Sequence, residues 1–162
     1  IQDPNPVVFV DKRLLYHLEE PVPEELYTVE IGKGFIRRKG NDVTIVAVSL
    51  MVQAALQAAE TLAAEGVDAE VIDLRTVKPL DREIILDSVK KTGRIVVADV
   101  GWQSFGISAE ICALVSEKAF DSLKAPTVRV ALPDIPAPAS RVLEDVYYPT
   151  ADDIVQAVRK IR

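Results

Sequence analysis

Residue types that build metal and redox sites are scarce in this chain. It has one cysteine, Cys112, and one histidine, His17, among 162 residues. A single cysteine excludes an internal disulfide, and one Cys with one His cannot supply the ligands of a structural zinc site. Cys112 follows the apolar helical pattern of Ile111, Leu114 and Val115, which predicts a buried, unreactive thiol. No nucleophile with a suitable partner lies near His17, so we interpret it as a surface or interface histidine.

Long apolar runs and strong positive charge are also lacking. No stretch of about 18 apolar residues occurs, so no membrane span is expected. The formal charge is −6 with acidic and basic residues interspersed, which disfavours nucleic acid as a partner. The N-terminus has neither a basic region followed by an apolar stretch nor an initiator Met, so we expect no signal peptide and a chain cut from a longer one. At 49% hydrophobic and 27% charged residues, the composition is that of one globular domain.

Phosphate-binding glycine patterns are absent as well. Neither G-x-G-x-x-G nor G-x-x-x-x-G-K-[ST] occurs. The stretch from Gly101 to Gly106 follows a predicted strand and opens a helix, where backbone amides could bind an anion. It also carries Trp102 and Phe105, and aromatic side chains are costly to expose unless they anchor a contact. We favour a protein interface, and packing within the domain or phosphate binding stay open.

Acidic residues offer no convincing catalytic or metal site. Asp99 ends a predicted strand, where α/β folds place functional residues, but no partner carboxylate is recognisable. Asp152 and Asp153 could resemble paired ligands for a hard cation. Acids in the first turn of a helix are explained by the helix dipole, so we interpret this pair as part of a helix start.

A proline-rich acidic segment divides the chain into two predicted parts. Residues 7–10 form a short apolar run typical of a buried strand, and residues 19–25 (EEPVPEE) read as an extended linker. We therefore predict that residues 1–25 are the tail of a preceding domain plus a linker. Residues 26–162 are then a domain of their own.

Strands and helices alternate beyond the linker. We predict strands at 43–48, 69–74, 94–99 and 127–131, and helices at 50–65, 81–91 and 108–119, with a last helix opening at Thr150. Residues 27–39 are predicted to add an antiparallel edge strand. This alternation predicts a three-layer α/β/α domain around a mostly parallel sheet.

Several stretches of the chain resemble one enzyme family in order. Asp3 to Tyr16 resembles the junction after the pyrimidine-binding domain in β subunits of 2-oxoacid dehydrogenase E1 components. Val71 to Asp81 (VIDLRTVKPLD) is similar to a stretch shared across the transketolase C-terminal domain. The loop and helix from Gly101 to Ile111 (GWQSFGISAEI) are closer to the pyruvate branch. Ala125 to Val130 and Leu143 to Asp145 also fit.

The resemblance implies an α2β2 enzyme that uses thiamine diphosphate and magnesium. Such an enzyme decarboxylates a 2-oxoacid, here pyruvate by preference, and passes the acyl group to lipoamide on E2, a dihydrolipoyl acyltransferase. The family's catalytic and cofactor residues lie upstream or in the α subunit, so this chain is expected to be inactive alone. Its expected partners are the E1 α subunit, a second β subunit and E2. The compartment would be the cytoplasm of a bacterium or archaeon, or the mitochondrial matrix or plastid of a eukaryote.

Three groups of residues acquire roles from the resemblance. Ile1, Asp3 and Asn5 match part of a structural monovalent-cation site, which potassium would fill. Trp102 and Phe105 are expected to be buried interface anchors between subunits. E2 docking in many pyruvate-type members uses an aspartate before Ala-Pro, and this chain has Lys124 there together with a basic terminus ending at Arg162. Docking would then use other acids, a different E2, or the chain belongs to another branch.

Two alternatives remain at this point. The chain could be the C-terminal domain of another thiamine enzyme, of the transketolase or deoxyxylulose-phosphate synthase type. It could also be a free-standing α/β binding module without catalytic descent. Acetoin-type enzymes remain open as a branch beside pyruvate.

Overall fold

A computed structural model describes residues 4–6, 8 and 12–162. The predicted strand at 7–10 therefore falls almost wholly outside the described residues. Five strands and five helices follow the N-terminal segment, with short 3-10 turns at Arg13–Leu15 and Phe120–Ser122. The strands are β1 Phe35–Arg38, β2 Val43–Ala47, β3 Ala69–Asp73, β4 Ile95–Trp102 and β5 Val128–Leu132. The helices are α1 Met51–Ala64, α2 Arg82–Thr92, α3 Ile107–Lys118, α4 Arg141–Tyr147 and α5 Ala151–Ile161.

The strands form one mixed sheet in the order β1-β3-β2-β4-β5. β1 pairs with β3 antiparallel, whereas the other three pairings are parallel. The predicted parallel sheet with one antiparallel edge strand is confirmed. The chain goes from β2 to β3 on one side and returns to β4 on the other, so the sheet has its switch point between β2 and β4. In α/β folds, ligands usually bind beyond the carboxyl ends of the strands at the switch point.

Helices cover both faces of the sheet, as the three-layer prediction requires. On one face α1 and α5 pack over a buried cluster that includes Ile45, Val71 and Ile154. On the other face α2 and α3 cover a second cluster that includes Ile72 and Ile111. Strands buried on both faces read as continuous apolar runs, which explains why all five residues of β2 are buried.

Specific hydrogen bonds cap the predicted starts of helices α2 and α5. The Asp81 carboxylate accepts from the backbone N–H of Ile84 at 3.4 Å, which caps α2, and Gly93 ends the same helix at φ 76°. The Asp153 carboxylate accepts from the backbone N–H of Thr150 at 2.8 Å and from its hydroxyl at 2.9 Å. Asp153 therefore serves the start of α5, as the capping pattern predicts.

A buried polar network lies at the amino end of the strands. Glu70 is buried, and its carboxylate accepts from Ser88 Oγ at 2.5 Å and Lys91 Nζ at 2.5 Å. The Thr44 hydroxyl lies 2.7 Å from Ser88 Oγ and 2.8 Å from the hydroxyl of Thr92. Buried polar groups are tolerated when they are hydrogen-bonded, so this network joins β2, β3 and α2 at one end of the domain.

One predicted element differs in extent, and one helix was not predicted. β4 continues to Trp102 rather than ending near Asp99, so the strand carries the first residues of the glycine loop. Helix α4 was not predicted at all. Pro133, Pro136 and Pro138 precede it, and prolines interrupt the local pattern from which a helix start is predicted.

Candidate protein interface

Backbone strain is concentrated at the carboxyl edge of the parallel strands. Among the residues that the structure describes, three non-glycine residues have positive φ, namely Ser49 at 55°, Arg75 at 55° and Phe105 at 60°. They follow the ends of β2, β3 and β4, respectively. Such conformations cost free energy and persist where the surrounding structure fixes them, which is common at functional sites. The strain therefore makes this edge of the sheet the best candidate for a functional site.

The loop from Gly101 to Gly106 is held tightly against the end of the sheet. The backbone N–H of Gln103 donates to the carbonyl of Leu132 at 2.8 Å. Ser104 donates to the Asp134 carboxylate twice, from its backbone N–H at 3.0 Å and from its hydroxyl at 2.6 Å. A Cβ placed on Gly106 would lie 2.2 Å from the carbonyl oxygen of Trp102, so only glycine fits there. The loop is a fixed platform.

The two aromatic side chains of this platform point into solvent in the chain alone. Phe105 is 104% exposed and Trp102 is 57% exposed. The Trp102 indole N–H donates to the Tyr147 hydroxyl at 3.4 Å, and this hydroxyl donates to the Ile135 carbonyl at 3.0 Å. A fixed loop that presents a fully exposed phenylalanine is suited to contact another surface.

Helix α4 extends the apolar surface beside Trp102. Val142, Leu143 and Val146 are exposed, whereas Tyr147 of the same helix is buried. Val142 and Val146 lie one turn apart and therefore share a face. Ile135 is exposed as well. We define the carboxyl-edge surface as the six exposed apolar side chains of the loop, of Ile135 and of α4: Trp102, Phe105, Ile135, Val142, Leu143 and Val146.

The α4 part of this surface was missed from the sequence. The only signal was the apolar spacing of Val142 and Val146, which is typical of a helix packed in a core.

Asp99 lies beneath the loop and is buried. Burial raises the pKa of its carboxyl group, although hydrogen bonds from the backbone N–H groups of Gly101 and Val100 and the charge of Lys12 oppose the shift. By contrast, the hydroxyl and backbone N–H of Ser104 lower the pKa of Asp134. Asp99 therefore contacts the loop backbone, and its role is to shape the platform.

The other predicted site residues are not brought together. His17 is exposed. Cys112 is half-buried rather than buried, and burial raises the pKa of its thiol, which disfavours the reactive thiolate. Ile1 and Asp3 of the predicted cation site lie outside the described residues, so that site stays a prediction resting on Asn5 alone. Within 4–6, 8 and 12–162, no three His, Cys, Asp or Glu side chains are placed to share a metal ion.

No helix in the described part of the chain is long and apolar enough to cross a bilayer.

Comparison with known proteins decides the family. Residues 32–154 match the family described as the transketolase C-terminal domain. The chain belongs to that family. It is 47% identical over 160 residues to the β subunit of an acetoin:2,6-dichlorophenolindophenol oxidoreductase from Cupriavidus necator. It is 48% identical over 164 residues to a mitochondrial pyruvate dehydrogenase E1 β subunit from Arabidopsis thaliana.

Both alignments cover 99% of this chain but only 47% and 45% of the relatives, so the chain spans about half the length of the curated relatives it matches. The prediction that this is the C-terminal domain of an E1-type β subunit is confirmed by the family and by these relatives.

Comparison with solved structures agrees with this family assignment. A split-gene transketolase in an inactive β4 tetramer superimposes with a TM-score of 0.75 and 35% identity, over 86% of this chain and 46% of that chain. A 2-oxoglutarate:ferredoxin oxidoreductase from Magnetococcus marinus, at 13% identity and a TM-score of 0.54, shares the fold alone.

Proposed function

We propose that this domain serves assembly in a thiamine-diphosphate-dependent 2-oxoacid oxidoreductase of the E1 type. The observation that carries the proposal is the match of the whole chain to E1-type β subunits, combined with a fixed loop that exposes two aromatic side chains. The complete enzyme decarboxylates a 2-oxoacid, or in the second candidate cleaves a carbon–carbon bond of acetoin, and passes the acyl group to an acceptor. The domain itself contributes contact surface.

The cofactor belongs outside this chain in the proposal. Thiamine diphosphate is held with a divalent cation, which needs oxygen ligands grouped at one point. The described residues do not fit that need, because no group of three potential ligands is placed together. The charged residues nearest the carboxyl edge are engaged with one another: Arg37 bonds to Glu20 at 2.5 Å, and Arg75 lies 3.9 Å from Asp73. Magnesium would likewise be held by residues outside this chain, whereas a potassium ion would use Ile1, Asp3 and Asn5 together with ligands outside it.

The carboxyl-edge surface is proposed as the contact with the α subunit or a second β subunit. Trp102 and Phe105 become its buried anchors, and the exposed face of α4 enlarges it. The split-gene transketolase neighbour assembles as a β4 tetramer, which supports contact between β subunits. Large aromatic residues surrounded by smaller apolar ones are the usual composition of the centre of an interface.

Docking of E2 is proposed to avoid position 124. The ammonium group of Lys124 lies 3.4 Å from the carbonyl oxygen of Thr92, and its alkyl chain packs beside Gly93. Lys124 therefore satisfies the carboxyl end of α2. An E2 domain that is basic would have to contact acidic groups elsewhere on the β subunit.

Two substrates deserve a direct comparison. The pyruvate dehydrogenase and acetoin relatives are 48% and 47% identical to the chain, so the level of identity does not separate them. Pyruvate is preferred in the proposal because the Gly101 to Gly106 loop resembles that branch, and acetoin is the second candidate.

The test is dye reduction by the complete protein. The complete β subunit mixed with its α subunit and thiamine diphosphate should reduce dichlorophenolindophenol with pyruvate or acetoin, whereas the present chain should not, with or without the α subunit. Turnover by this chain alone would contradict the proposal. A complete protein that is inactive with every 2-oxoacid and with acetoin would do so as well.

A further inference from the structure

The carboxyl-edge surface carries a projecting side chain and a cavity side by side. Phe105 is fully exposed, and three residues earlier Trp102 borders a cavity of about 220 Å³. The cavity is lined by Trp102, Asp134, Ile135 and Pro136. An apolar cavity of about 150 Å³ holds benzene, so this cavity has room for a phenylalanine ring.

Phe105 does not line the cavity of its own chain. The loop backbone is fixed on both sides of it, by the hydrogen bonds from Ser104 to Asp134 and by the close approach of Gly106 to the preceding turn. With φ at 60°, the residue directs its ring into solvent. A ring that enters the cavity therefore comes from another molecule.

The extent of the carboxyl-edge surface matches one half of a stable dimer interface. Its six apolar residues, two of them aromatic, expose between 56% and 104% of their area. With about 150–250 Å² for each aromatic side chain, the six together expose on the order of 700 Å². Stable interfaces bury roughly 800 Å² on each partner, so this surface nearly suffices for a pair of copies.

Helix α4 adds charges that are complementary to those of its own copy. Arg141 and Asp145 are exposed one turn apart, beside the stripe of Val142 and Val146. Neither makes an ion pair with any residue from 12 to 162. When two copies of α4 lie antiparallel, the arginine of each faces the aspartate of the other. A two-fold axis produces such reciprocal contacts.

We propose that the carboxyl-edge surface binds a second copy of this chain about a two-fold axis. Phe105 of each copy enters the cavity beside Trp102 of the other. Arg141 of each copy faces Asp145 of the other. A projection with its own cavity, and a cation with its own anion, are what a self-complementary surface requires. The inference rests on the proposed function, because it names the second β subunit as the partner of that same surface.

Charge reversal on α4 tests the two-fold contact directly. Arg141→Glu and Asp145→Arg are made separately in the 162-residue chain, and the dissociation constant of the dimer is measured by sedimentation velocity. Each variant alone places like charges opposite one another twice, so its dissociation constant should rise by at least about tenfold. An equimolar mixture of the two variants should return to the dissociation constant of the parent, because both pairs in the mixed dimer join unlike charges.

Two further variants make the result specific. Ile135→Trp fills the cavity and should abolish the dimer at concentrations where the parent is dimeric, with the melting temperature retained. Lys118→Glu is a matched control, because Lys118 is exposed at the opposite end of α3 from the loop and makes no ion pair in the described part of the chain. This control should leave the dissociation constant unchanged.

Three results would overturn the inference: a chain that stays monomeric, association that continues beyond the dimer, and charge variants that fail to recover on mixing. An equal loss of affinity in Lys118→Glu would do so as well. A monomeric chain would leave the surface to the α subunit. An inactive complete enzyme overturns the proposed function whether or not this chain dimerises, so the two failures are distinguishable.

Discussion

Phe105 provides the sharpest quantitative prediction about the interface. Its side chain is 104% exposed in the chain alone, so its removal takes away no contact inside the domain. The backbone at this position has φ 60°, a strain that alanine would share with phenylalanine. Phe105→Ala should therefore change the free energy of unfolding of the isolated domain by less than about 0.5 kcal/mol.

The same substitution should weaken assembly strongly. Burying a phenylalanine side chain at an interface contributes about 1.5–3 kcal/mol. Losing it raises the dissociation constant by roughly ten- to a hundredfold. The assay is sedimentation velocity of the complete β subunit, alone for contact between β subunits and with its α subunit for contact between α and β, with the melting temperature of the domain measured in parallel.

Phe120 offers a matched control. It is another exposed phenylalanine, 70% accessible, in the 3-10 turn that follows the carboxyl end of α3, at the opposite end of that helix from the glycine loop. Phe120→Ala should leave assembly unchanged. If Phe105→Ala and Phe120→Ala alter the dissociation constant equally, or if Phe105→Ala lowers the melting temperature of the isolated domain, the reasoning is refuted.

Three further predictions concern the domain itself. Glu70→Ala leaves the buried Ser88 hydroxyl without its acceptor and should lower the free energy of unfolding in urea by about 2–4 kcal/mol, and a loss below about 1 kcal/mol would contradict the network. The pKa of Asp99 is higher in the folded chain than in the unfolded chain, where it is about 3.9. The folded chain therefore loses stability as the pH rises from about 3.9 through the folded pKa, because the carboxyl group ionises less readily when it is buried. Asp99→Asn should therefore gain stability relative to the parent over that pH range in pH-dependent melts, and parallel curves would contradict the assignment. Gly106→Ala places a Cβ 2.2 Å from the Trp102 carbonyl oxygen and should shift the Trp102 fluorescence spectrum, which an undisturbed loop would not do.

Elements with strong local signals could be predicted from the sequence. The apolar β-branched runs of β2 and β3, the alanine-rich α1 and the capped starts of α2 and α5 each carry their own pattern, and all are observed close to the predicted bounds. The antiparallel edge strand was predicted within 27–39 and is limited to Phe35–Arg38. The order of the strands in the sheet cannot be predicted from local patterns, because it depends on crossover connections between distant segments.

The candidate interface was only half visible in the sequence. Trp102 and Phe105 are recognisable in the sequence because large aromatic side chains in a loop are costly to expose unless they anchor a contact. Helix α4 carried Val142 and Val146 at a spacing that usually marks a buried face, and only the folded chain shows that this face is exposed while Tyr147 is buried. The sequence pattern indicates that a face is apolar, but what covers that face depends on the rest of the fold.

The most direct test of the assembly role separates binding from turnover. Phe105→Glu is introduced into the complete β subunit, and dye-reducing activity is measured while the α and β subunits are raised together in concentration until the activity per enzyme saturates. The account predicts that the half-saturating subunit concentration rises by at least about tenfold while the activity at saturation stays at the parent level. Lower activity at saturation with an unchanged half-saturating concentration would show that the loop acts in catalysis, and would contradict the account.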